Sequence, residues 1–137
     1  MPTIKIKTGD VSYELKNEHG EHIGTITFNP ADYDIIRRAE TVEKWFSEFK
    51  VNPGVTIDEF LEFTDKVKEQ FDYLCNRNVS SDLFAVCNPL TILADGTFYF
   101  QQILEIIVDL VRTEVTKRMK ASEKRVEAAV AEITGDE

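Results

Sequence analysis

The sequence predicts an α+β fold in which a small N-terminal antiparallel β-meander precedes a mainly α-helical domain with a long C-terminal helix. Two observations carry this prediction. Between residues 3 and 28, apolar and polar residues alternate, which is the two-residue period of half-buried strands. From residue 30 onward, apolar residues recur every three or four positions, and the longest such segment runs from Phe98 to Ile133.

Length and charge restrict the number of domains and the class of partner. A chain of 137 residues with 42% hydrophobic content can bury one core. We therefore predict a single domain, with a β-meander over 3–28, a helical core over 30–116 and a peripheral helical arm or tail over 117–137.

The formal net charge of −9 disfavours nucleic acid as a partner. Met1 to Lys7 does not resemble a secretory signal, and no apolar run approaches the length of a bilayer span, so we expect a cytoplasmic protein that binds no membrane.

Three alternating runs make up the predicted meander. Thr3 to Lys7 and Val11 to Leu15 are separated by turn residues, which predicts a hairpin between them. A third strand is expected from His22 to Phe28. In that strand Ile23 has the wrong parity, and Gly24 is the expected position of a bulge.

The helices begin at recognisable capping residues. Asn29 is the expected cap of the first helix and Pro30 its first residue, with Asn52–Pro53–Gly54 ending it. Thr56 and Glu59 have capping-box spacing, so a second helix should begin there and run to about residue 76. A short helix or turn from 83 to 87 and a strand or buried loop from 90 to 93 then lead to a turn at residues 95 and 96.

The long periodic segment divides into two halves. In its first half a second apolar row widens the stripe and predicts burial on more than one side; this row is Ile103, Ile106 and Leu110. From Lys117 to Ile133 the stripe is narrow and flanked by charges, and it continues through Met119, Val126 and Val130. We predict a contact arm for another copy of the chain or for a client, with a frayed tail as the alternative.

One helical face carries a row of carboxylates, namely Asp58, Glu62, Asp65, Glu69 and Asp72. Oxygen ligands of this kind bind Mg²⁺ or Ca²⁺, which keeps a carboxylate-based metal site open. Apolar residues on the opposite face, among them Ile57, Phe60 and Leu61, favour the simpler interpretation, in which the acids are the solvated side of an amphipathic helix. Cys75 and Cys87 lie among apolar neighbours and are expected to be reduced. With no nucleophile motif and no phosphate loop, we predict neither an enzyme nor a cofactor.

Most aromatic residues fall on the apolar stripes, where packing explains them. Phe63 and Tyr99 fall off these stripes and are candidates for a partner surface. Together with the arm positions, the predicted partner-binding residues are Phe63, Tyr99, Met119, Val126 and Val130.

The chain resembles the small tail assembly chaperones of long-tailed phages and prophages of Gram-positive bacteria. Its opening strands read T-I-K-I-K and V-S-Y-E-L-K, and its entry into the first helix reads F-N-P-A-D-Y-D-I-I-R-R-A-E. Its central loop and late helix contain F-D-Y-L-C-N, D-L-F-A-V-C-N-P and G-T-F-Y-F-Q-Q-I-L-E-I-I. The similarity is one of layout and covers most of residues 3 to 118.

This resemblance implies a noncatalytic protein that coats the hydrophobic, helical tape measure protein and keeps it soluble until the tail tube polymerises. The implied partners are the tape measure protein and the tail tube protein, with a homo-oligomer also expected. Two other classes remain open: a small self-associating structural or adaptor protein, and a protein that binds a metal through the carboxylate row.

Overall fold

The computed structural model describes residues 1–50 and 54–134, which form two strands and four helices. The predicted α+β class with a long C-terminal helix is confirmed. In chain order the elements are β1 (Val11–Lys16), β2 (His22–Phe28), α1 (Tyr33–Ser47), α2 (Ile57–Cys75), α3 (Ser80–Leu83) and α4 (Tyr99–Thr134). None of the helices in this part of the chain is long and apolar enough to cross a membrane.

The two strands form one antiparallel hairpin. Its register starts with Val11 opposite Phe28 and shifts at the far end, where Lys16 pairs with His22. Ile23 therefore has no residue opposite it, which explains its wrong parity and places the bulge next to the predicted glycine. The inner face of the hairpin supplies buried Ile26 and Phe28 to the core.

The predicted three-stranded meander is wrong in one strand, because Thr3–Lys7 forms none. The hairpin joins the second and third alternating runs, instead of the first and second. Alternation yields a strand only where a neighbouring strand and an apolar layer are available, and Ile4 and Ile6 remain exposed. Gly9 turns the chain with a φ of 91° just before β1, which directs this segment away from the sheet.

Helix α1 begins three residues later than its predicted first residue. Asn29 Oδ1 accepts a hydrogen bond from the Ala31 amide at 3.1 Å, so it forms a turn of its own and leaves Pro30 outside the helix. Asp32 is the actual cap, and its Oδ1 accepts from the Asp34 amide at 3.1 Å. The helix ends at Ser47, and of the predicted stop at 52–54 the residues 52 and 53 lie outside the described part of the chain.

Helix α2 has the predicted bounds. Thr56 Oγ1 accepts from the Glu59 amide at 3.1 Å, and the helix ends at Cys75, followed by the capping residue Asn76 in the left-handed conformation with a φ of 53°. The short helix that follows is α3 at residues 80–83, earlier than the predicted 83–87. The shift has a physical cause, because the side chain of Asp72 accepts from the amides of Val79 and Ser80 and starts α3 there.

Helix α4 matches the predicted segment to within one residue at each end. Before it, residues 90–93 form a loop with a single bridge between Ile92 and Phe98, closed by the predicted turn at Gly96. The core-facing residues of α4 are Phe100, Ile103, Ile107 and Val111. The predicted second buried row is wrong at Ile106, which is exposed, since burial follows one face of the helix.

The hydrophobic core draws on β2 and all four helices. Aromatic rings hold α1 against α4, with Phe46 stacked on Phe100 at 4.7 Å between centroids. Arg38 of α1 is also buried, with 7% of its surface exposed. Its position beside an apolar stripe did not predict this burial. The core therefore encloses the first half of α4 and leaves the second half outside it.

Candidate partner-binding surfaces

The second half of α4 extends away from the body of the protein as an arm, residues 117–134. Every residue from Met119 to Thr134 is exposed, over a helical length of about 24 Å. Its large apolar side chains, here called the arm row, are between 53% and 83% exposed: Met119, Val126, Val130 and Ile133. The structure thus places the three predicted arm residues on one projecting helix, where no part of the described chain covers them.

Arg118 fastens the base of this arm to the body. Its guanidinium donates to the carbonyl oxygen of Gly9 at 3.1 Å and lies 3.4 Å from the carboxylate of Glu114. Glu114 and Arg118 also affect the pKa of Tyr13 in the hairpin. That pKa is raised, chiefly by burial and also by Glu114, while Arg118 acts in the opposite direction. These contacts join α4 to the N-terminal segment and mark where its packing against the body stops.

The arm is helical although it buries none of its residues. Alanines at 121, 128, 129 and 131 have the highest intrinsic helix propensity, and the helix needs no new nucleus because it continues from the packed half of α4. The structure thus describes this segment as a continuous helix to Thr134, and its role as a contact arm stays a prediction. A projecting helix with an apolar row is a surface that a second helix can cover.

A second exposed apolar surface lies at the start of α2. This α2 surface consists of Val55, Ile57, Phe60 and Leu61, with Ile57 78% exposed. The last three have i, i+3, i+4 spacing and so share one face of the helix. Sequence reasoning assigned them to the buried side of α2, yet burial begins only at Thr64. The periodicity of a stripe does not reveal whether its own chain or a partner covers it, so no signal in the sequence distinguished the two.

Phe63 and Tyr99 are both half-buried, and Phe63 borders a small apolar pocket that Val55 and Phe60 of the α2 surface also line. Phe63 is half-buried and packs edge-on against Phe49 with 4.3 Å between ring centroids. Tyr99 donates its hydroxyl to the carbonyl oxygen of Leu83 at 3.0 Å and packs edge-on against Phe84. Burial raises the pKa of Tyr99, and the neighbouring Cys87 adds to this. Their positions off the stripes are thus explained by sideways packing within the chain.

The carboxylate row divides into four exposed acids and one structural acid. Asp58, Glu62, Asp65 and Glu69 are exposed, and Asp72 is half-buried. Asp72 accepts hydrogen bonds from Val79 and Ser80, which engages both of its oxygens. Within residues 1–50 and 54–134, no three His, Cys, Asp or Glu side chains lie close enough together to hold a metal ion.

A polar pocket of about 240 Å³ opens beside the N-terminal segment, and its charged groups are paired with one another. Buried Arg38 donates to the carbonyl oxygen of Leu74 at 3.0 Å and lies 3.5 Å from the carboxylate of Asp32. Arg77 lies 2.8 Å from the carboxylate of Asp10. These pairs tie α1, α2 and the start of β1 together.

Cys75 also lines this pocket, and its surroundings favour the protonated thiol. Its thiol pKa is raised to about 12, chiefly by burial and also by the carboxylate of Asp72, while Arg38 acts in the opposite direction. The thiolate, which is the reactive form, is therefore scarce near neutrality. Cys75 and Cys87 are both free thiols.

Comparison of the chain with protein-family models, with curated proteins and with solved structures found no match. Among the described residues, the arm and the α2 surface each expose at least three large apolar side chains at helical spacing, and α1 exposes a shorter pair, Tyr33 and Ile36.

Proposed function

We propose that this protein is a noncatalytic phage tail assembly chaperone, which binds the tape measure protein in the host cytoplasm and keeps it soluble during tail morphogenesis. The observation that carries the proposal is the presence of two uncovered apolar helical surfaces on one small protein, the arm row and the α2 surface. Contiguous exposed apolar side chains on a folded chain are typical of sites that bind other proteins. The layout resemblance supplies the identity of the client.

Both surfaces suit a helical client. Their apolar residues recur every three or four positions, so each presents a stripe that can lie along a second amphipathic helix. A tape measure protein, which is long, helical and hydrophobic, offers many such stripes. The chaperone's net charge of −9 would add charge to the complex and oppose its aggregation.

The noncatalytic part of the proposal is supported by how the buried polar groups are used. Asp72 caps α3, Arg38 binds the end of α2, and the Cys75 thiol stays protonated near neutral pH. These groups are engaged in holding the fold together, so they are not available to act on a substrate.

Coexpression with a tape measure fragment tests the proposal on the α2 surface. Ile57→Asp and Leu61→Asp place a charge in this surface without disturbing the core, because both residues are exposed. We expect each to lower the soluble fraction of the client and its copurification with the chaperone. Val86→Asp is the matched control, since Val86 is an equally apolar, exposed residue outside both surfaces.

The proposal is wrong if the fragment is equally soluble with and without the chaperone. Equal loss of client with the Val86 control would likewise contradict a role for the α2 surface.

A further inference from the structure

The charges of the arm are segregated along its length. Residues 117–125 contain five basic side chains and one acidic one, Glu123, whereas residues 126–134 contain two acidic side chains, Glu127 and Glu132, and no basic one. Among the ion pairs within the described residues, none joins a side chain beyond Arg118 to another. The arm therefore carries a basic half and an acidic half and, apart from Arg118, which pairs with Glu114, their charges are not neutralised within the described residues.

The arm also has the residue spacing of a helix-pairing seam. Alternating steps of three and four residues lead along one face through small or apolar side chains: Met119, Ser122, Val126, Ala129 and Ile133. Sustained steps of this kind let two helices pack along their length. Because serine and alanine occupy two of the five positions, the seam is shallow and suits close approach of another helix.

The two features together identify the partner. In a parallel pair of arms, basic halves would face basic halves and repel each other. In an antiparallel pair, the basic half of one arm faces the acidic half of the other, and a two-fold axis repeats the contact. Arg125 and Glu132 lie seven residues apart and therefore on the same flank of the seam, which brings them opposite each other in this arrangement.

We propose that two copies of this chain associate through antiparallel pairing of their arms, with Arg125 of each copy facing Glu132 of the other. In this register residues 123–134 of the two arms overlap, so the pairing covers Val126 and Ile133 and leaves Met119 and the α2 surface free. The dimer forms with or without a client, and once it has formed the α2 surface remains to bind the client.

Sedimentation equilibrium of the full chain tests the dimer directly. We expect the mass to rise from that of one 15.7 kDa chain toward that of two as the concentration increases. Arg125→Glu and Glu132→Arg each place like charges in contact, and each should weaken association by at least about tenfold. The double variant Arg125→Glu/Glu132→Arg exchanges the charges and should restore association, as should an equimolar mixture of the two single variants.

Lys124→Glu is the matched control, because it makes the same charge change one residue away from Arg125, on the side of the arm opposite the seam. It should weaken association far less than Arg125→Glu. A chain that stays monomeric at all concentrations overturns the proposal. So does a double variant as weak as the single ones, or arm variants that reduce client binding without changing the mass.

Discussion

The carboxylate of Asp72 on α2 accepts hydrogen bonds from both the backbone amide and the side-chain hydroxyl of Ser80, each at 2.8 Å. A third bond from the Val79 amide, at 2.9 Å, completes a cap that one helix supplies to the next. The carboxylate thus satisfies two amides at the start of α3 that have no partner within that helix. Asp72 is for this reason physically different from the four exposed acids that precede it at helical spacing.

Asp72→Ala should destabilise the protein by about 1–3 kcal/mol, because it removes the cap and leaves partly buried amides without acceptors. Chemical denaturation of the variant and the parent chain measures this difference. A midpoint equal to that of the parent would show that the amides find other partners.

For three exposed acids of the same row we expect no comparable loss of stability. The triple variant Glu62→Gln/Asp65→Asn/Glu69→Gln should keep its stability to within about 1 kcal/mol, since exposed charges and their ion pairs contribute little. The one ion pair that the structure assigns to these three acids is Lys66–Glu62 at 3.5 Å, between exposed side chains. Isothermal titration with Mg²⁺ and Ca²⁺ tests the alternative, and micromolar binding that is lost in the triple variant would establish a metal site.

Adjacent isoleucines on α4 offer a matched test of burial. Ile107 is 2% exposed and Ile106 is 49% exposed, although both lie in the half of α4 that the sequence predicts to be buried. Ile107→Ala should cost about 2–5 kcal/mol through lost burial and a residual cavity. Ile106→Ala should cost much less because solvent fills the vacated space. Similar losses for the two variants, measured by thermal or chemical unfolding, would contradict the assigned helix face.

Periodicity located the helices well because it depends on local spacing, and capping residues such as Thr56 refined their bounds. What it could not predict is which neighbour covers a stripe. Thr3–Lys7 alternates like a strand but meets no partner strand, and Ile57 and Leu61 continue an apolar stripe beyond the point where the core ends. Burial is a property of the assembled elements, so the same local pattern appears in covered and uncovered segments.

The same limit applies to the predicted partner-binding residues, whose exposure the structure gives but whose contact with a partner stays a prediction. Met119, Val126 and Val130 were identified because their stripe is too narrow for a core helix, and the structure places them on the exposed arm. Phe63 and Tyr99 were predicted as partner-binding residues only from their angular position on the helix, away from the apolar stripes. That angle is also compatible with packing against Phe49 and Phe84, which lie far away in the sequence.

The two free cysteines should differ sharply in reactivity. Cys75 is 4% exposed and its pKa is raised by burial to about 12, whereas Cys87 is half-buried. A maleimide reagent at mildly alkaline pH should therefore modify Cys87 in the native protein and leave Cys75 unmodified. In denaturant both should react, and peptide mapping by mass spectrometry identifies the modified residue. Equal modification of the two in the native state would show that the end of α2 opens readily.

Removal of the arm separates its contribution to folding from its contribution to association. A chain ending at Lys120 retains Arg118 and its hydrogen bond to Gly9, and the described residues that it loses, 121–134, are all exposed. Its free energy of unfolding in dilute solution should match that of the full chain to within about 1 kcal/mol, since surface residues away from packed features contribute little.

At higher concentration the two chains should diverge. The unfolding midpoint of the full chain should rise with protein concentration, because pairing of folded copies draws the equilibrium toward the native state. The shortened chain should show no such rise, and Lys124→Glu in the full chain should retain it. A concentration dependence that survives removal of the arm would place the contact between copies elsewhere, on a surface such as that at the start of α2. A large loss of stability in dilute solution would instead show that the arm packs on its own body.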